Sequence, residues 1–106
     1  MNASRIEFFK QMLESDGANV TVLFGLANEY LKAENYPEAI KTLEDYLACA
    51  DDEGAAYGML AKAYEKTGNH AKAKTAFERG VEAANKHGHP SMAAEFAETL
   101  GFDYAD

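Results

Sequence analysis

Apolar residues recur along this chain at helical spacing, and turn-forming residues interrupt them at short intervals. Ile6, Phe9 and Leu13, with Phe8 and Met12 beside them, share one broad stripe and predict a first helix over residues 3–15. Ser4 followed by Glu7 has the form of a capping box, and Ser15-Asp16-Gly17 ends the helix. Leu23, Leu26, Ala27 and Tyr30 predict a second helix from about Val20 to Glu34, capped by Asn19. Pro37 opens the third as a first-turn proline, ahead of an inward stripe of Ala39, Ile40, Leu43, Tyr46 and Leu47. Asp51-Asp52 breaks the pattern and supplies cap and charge to a fourth helix near Glu53 to Thr67. Gly68-Asn69 turns the chain into a fifth, His70 to about His87, with Ala73, Ala76, Phe77, Val81 and Ala84 inward. Gly88 stops it, and Pro90 begins a short final helix to about Leu100. Connections this short favour antiparallel neighbours, so the expectation is all-α with about six helices.

The stripes repeat. Leu23-x-x-Leu26-Ala27-x-x-Tyr30 returns 34 residues later as Tyr57-x-x-Leu60-Ala61-x-x-Tyr64, and Ala39-x-x-x-Leu43 returns as Ala73-x-x-x-Phe77. Lys32 aligns with Lys66, Asn35 with Asn69, and Leu47 with Val81. A two-helix unit of this period cannot bury its apolar faces alone and must stack on copies of itself.

The pattern resembles the tetratricopeptide repeat family, with each unit a helix A followed by a helix B. Residues 20–53 and 54–87 are the two full repeats, residues 3–16 fall where an earlier helix B would lie, and residues 89–101 sit where a third helix A would start. The resemblance implies a single domain over residues 1–106, a short right-handed superhelix of antiparallel hairpins whose last helix caps the stack. The small residues Ala27, Ala39, Ala61 and Ala73 allow helices A and B to cross closely. Tyr46 and Gly80 stand where the family's helix-B alanine is expected. Gly80 costs roughly 1 kcal/mol of helix propensity and would admit a close neighbour.

Composition narrows the function. Ten Lys and Arg against eighteen Asp and Glu leave a net charge of -8, the wrong sign for a phosphate backbone. No apolar run approaches a membrane span, no leader segment is visible, and one cysteine excludes an internal disulfide, so the expected location is the cytoplasm. Cys49 reads as a small buried apolar residue. His87-x-His89 brackets Gly88 in a turn with no carboxylate or thiolate placed to complete a metal set. No phosphate loop, nucleophile elbow or zinc helix motif occurs, so neither an enzyme nor a cofactor is expected.

The resemblance implies a concave groove lined by A helices. By register its residues are Phe24, Asn28, Leu31 and Lys32, then Met59, Lys62 and Lys66 beside Gly58, then Met92 and Phe96. Ordinary packing is the alternative for the apolar members, and pairing with Glu29 or Glu65 is the alternative for the lysines. Some family members clamp a partner's C-terminal carboxylate. Here Asn28 fits that clamp, but Phe24, Lys62, His89 and Ala93 occupy its other positions, so tail binding of that kind is not expected. The functional expectation is an adaptor holding a peptide segment of an unidentified protein, with the partner's carboxylates on the lysines. The alternative is a self-associating module, such as a homodimer, joined through its open repeat ends or through the tail that carries Phe102 and Tyr104.

Overall fold

The computed structural model describes residues 2–105, with side chains from residue 5 onward. The described residues form six α-helices joined by short turns: α1 (Asn2–Ser15), α2 (Val20–Lys32), α3 (Tyr36–Cys49), α4 (Ala55–Lys66), α5 (His70–Lys86) and α6 (Pro90–Asp103). They divide into two compact units, one ending at Ala50 and one beginning at Asp51.

In the first unit α2 lies against both α1 and α3. Leu26, Tyr30 and Ala39 form its centre, with Ile6, Phe9, Leu13 and Leu31 packed around them. Ala27 and Ala39 are both fully buried, which fits the close helix crossing expected of small residues. Asn19 caps α2 as expected, its Oδ1 accepting from Val22 N at 3.2 Å. Ser4, half of the expected capping box, has its side chain outside the described residues.

Helix α2 ends at Lys32, two residues short of the expected Glu34. Glu34 itself takes φ +57, and Asn35 N–H closes the turn onto the Tyr30 carbonyl at 2.9 Å. One period later Gly68 holds the same place at φ +80, and Asn69 bonds Tyr64 O at 2.9 Å. The same turn is thus built with glycine once and with glutamate once. Cys49 is exposed rather than buried. It lies on the last turn of α3, off the Ala39-Leu43-Leu47 stripe, so helical phase carries it outward.

The second unit holds α5 between α4 and α6. Asp52, rather than a residue at the helix start, satisfies the first amides of α4, accepting from Gly54 N at 2.9 Å and Ala56 N at 3.0 Å. Helix α6 continues to Asp103, past the expected end at Leu100, and closes with Tyr104 N–H on Leu100 O. Its extra turn delivers Tyr104 into the unit. The ring is buried, lies 4.2 Å from the His70 ring in a stacked arrangement, and meets Phe77 at 5.8 Å. The tail therefore folds back on its own unit.

Candidate docking cleft

A recess flanked by two A-type helices lies in the second unit, between α4 and α6. Lys62 and Glu65 of α4 form one wall, Glu95, Thr99 and Asp103 of α6 the other, and Phe77 and Phe96 the apolar lining. Its volume is about 370 Å3. A smaller recess continues it past Glu65 and Asp103 to Gly68, His70 and Tyr104.

The aromatic lining is closely packed against two glycines. A Cβ on Gly58 would stand 2.9 Å from the Phe96 ring, and a Cβ on Gly80 would meet the same ring at 2.9 Å and Tyr57 Cβ at 3.1 Å. The ring of Phe96 is thus held between the backbones of α4 and α5 and packs on Phe77 at 5.8 Å. Gly80, which replaces the family's alanine, does admit a close neighbour, and that neighbour is Phe96.

Carboxylates outnumber cations along the cleft. Lys62 is its one cation, facing Glu65, Glu95 and Asp103, which leaves two net negative charges. Glu65 is further fixed by the Tyr104 hydroxyl, which donates to its Oε2 at 2.5 Å. Burial first, and then this bond to a carboxylate, push the Tyr104 phenol well above its ordinary range.

The other expected groove residues occupy varied settings. In the first unit Phe24 is half-buried against Tyr46, ring centres 5.2 Å apart, and Leu31 packs on the Leu26-Tyr30-Ala39 centre. Asn28 is half-buried, and Lys32 pairs with Glu29 at 3.4 Å. Glu29 is the pairing partner named for the lysines in the sequence, and it is deeply buried. Its carboxylate is 2% exposed, its Oε2 also lies 3.6 Å from Arg5, and its Oε1 has no hydrogen-bond partner. In the second unit Met59 and Met92 are half-buried, while Lys62 and Lys66 are exposed.

The turn after α5 is tied to the segment before α4. His89 Nε2 contacts Glu53 at 2.5 Å. His87 Nε2 stands 3.2 Å from Asp51 Oδ1, at ion-pair distance but without hydrogen-bond alignment. The His87 imidazole, and after it Lys86, hold the Asp51 carboxyl below its ordinary range. Among the described residues no group of His, Cys, Asp and Glu has a metal-holding arrangement, and no helix is long and apolar enough to cross a membrane.

Comparison with known proteins follows the same lines. Two tetratricopeptide repeat models match the chain, one over residues 6–60 and one over residues 54–87. The crystal structure of MamA is similar in fold, with a TM-score of 0.68 at 21% identity over 93% of this chain and 67% of that one. No curated protein matches. With helix pairs recurring every 34 residues and a family model covering more than half its length, the chain belongs to the tetratricopeptide repeat family, whose repeats act as protein–protein interaction modules.

Proposed function

We propose that this chain is an adaptor whose α4–α6 cleft holds a segment of a partner protein through a basic side chain. The supporting observation is the combination of three carboxylates around one lysine with an aromatic lining fixed by Gly58 and Gly80. An arginine or lysine of the partner would lay its apolar stem on Phe96 and present its charge to Glu95 and Asp103. A partner carboxylate, the ligand expected from the lysines alone, would meet repulsion here. Lys62 then acts as a selectivity element that limits how many cations enter. Met59 and Lys66 flank this cleft on α4, with Met92 on α6. In the first unit Phe24, Asn28, Leu31 and Lys32 form the corresponding face of α2.

Selection from a library of random displayed peptides tests the proposal. The expected result is enrichment of Arg or Lys at one fixed position. Replacing Glu95 and Asp103 together by lysine should abolish that preference, and Lys62→Glu should strengthen binding of the selected peptides, by about tenfold if one ion pair is gained. Enrichment of Asp or Glu instead would overturn the reading.

A further inference from the structure

Helices α1 and α6 are each half of a repeat. Shifted by one period, α1 coincides with helix B of the first repeat; shifted by two, α6 overlaps helix A, starting two residues later. In the complete first repeat, Ala39 of helix B packs with Leu26 and Tyr30 of helix A. The corresponding residues of the half-repeats are Arg5 on α1, and Ala94 and Glu98 on α6. Opposite charges therefore stand where a complete repeat brings its helices together, and Ala94 leaves room where Leu26 is large.

Size is exchanged in the same sense at the next turn. Phe8 of α1 matches Thr42 and Ala76, which are 6% and 1% exposed in the complete repeats, yet Phe8 is 59% exposed. Met12 beside it is also exposed. On α6 the matching helix-A positions are Ser91 and Ala94, both small and exposed, where the complete repeats carry Leu23 or Tyr57 and Leu26 or Leu60. Large residues on α1 thus meet small ones on α6, the reverse of the complete repeats.

We propose that α1 of one molecule docks on the outer face of α6 of a second copy, forming a composite repeat. Phe8 and Met12 cover Ser91 and Ala94, and Arg5 pairs with Glu98. Arg5 keeps its contact with Glu29 in the same arrangement, since a guanidinium carries five donors. The two surfaces differ, so the contact is heterologous and propagates head to tail rather than closing as a two-fold dimer. It goes beyond the peptide-binding reading and is independent of it, because the α6 face involved is not the Phe96 face.

Sedimentation velocity of the full chain over a concentration series provides the test, with circular dichroism confirming unchanged helical content in each variant. The wild-type chain should show sizes that keep growing with concentration. Phe8→Ser breaks only the α1 end and Glu98→Arg only the α6 end, and each should weaken association by about tenfold or more. An equimolar mixture of the two variants retains one good interface, so it should form a one-to-one dimer that grows no further. A wild-type chain that stays monomeric to its solubility limit would overturn the proposal. So would a mixture that stays monomeric, or variants that associate as the wild type does.

Discussion

At the residue scale, the repeated turn after helix A offers an internal comparison. Glu34 and Gly68 hold the same left-handed place one period apart. A side chain there costs about 1 kcal/mol through its Cβ, which glycine avoids. Glu34→Gly should therefore raise stability toward urea by up to about 1 kcal/mol, less the added flexibility of the unfolded chain. A loss of stability would show that the Glu34 side chain contributes more than its backbone costs. Tyr104 gives a second prediction. Its phenol is held protonated in the fold, so the stability it brings is complete below the unfolded value of about 10 and is lost as pH rises beyond it. Urea midpoints of the wild type should fall from about pH 9 upward, and those of Tyr104→Phe should fall less steeply.

At the element scale, Phe96 connects α6 to both α4 and α5. Gly80→Ala would add about 1 kcal/mol of helix propensity to α5, yet it drives a methyl into a ring that Gly58 blocks on the other side. The net effect expected is destabilisation, measured by thermal unfolding, with Phe96→Leu in the same chain restoring most of it. If Gly80→Ala stabilises the protein, the ring is free to move. This contact also marks what was legible in the sequence. Periodicity located α1 to α5, which carry inward stripes, while Gly88 and Pro90 announced α6, and the repeat register flagged Gly80 as a departure that would admit a neighbour. It did not name that neighbour, because Phe96 by phase belongs to the same groove-facing set as Asn28 and Lys62. Two missing side chains on the facing helices turn it inward. Helix ends were less legible for a similar reason. Gly101 has no role in stopping α6, while Glu34 stops α2 with no glycine to announce it.

For the whole molecule, the difference lies in how charges combine. Lys32, Lys62 and Lys66 share one helical phase, which by itself reads as a basic stripe. Their neighbours come from sequence-distant helices: Glu95 and Asp103 beside Lys62, and Arg5 of α1 on the same Glu29 that pairs with Lys32. A one-dimensional pattern assigns a residue to a face but not the sign of the recess that faces combine to make. With a net charge of -8 behind an acidic cleft, association with a basic segment should be fast at low salt and slow markedly as ionic strength rises.

The most direct measurement is a heteronuclear NMR titration of the full chain with an Arg-containing peptide taken from the library selection, beside the same peptide with Arg replaced by Glu. Shift changes concentrated at Lys62, Glu65, Glu95, Phe96, Thr99 and Asp103 with the Arg peptide, and none with the Glu peptide, are predicted. Equal response to both peptides, or changes that avoid α4 and α6, would contradict the account.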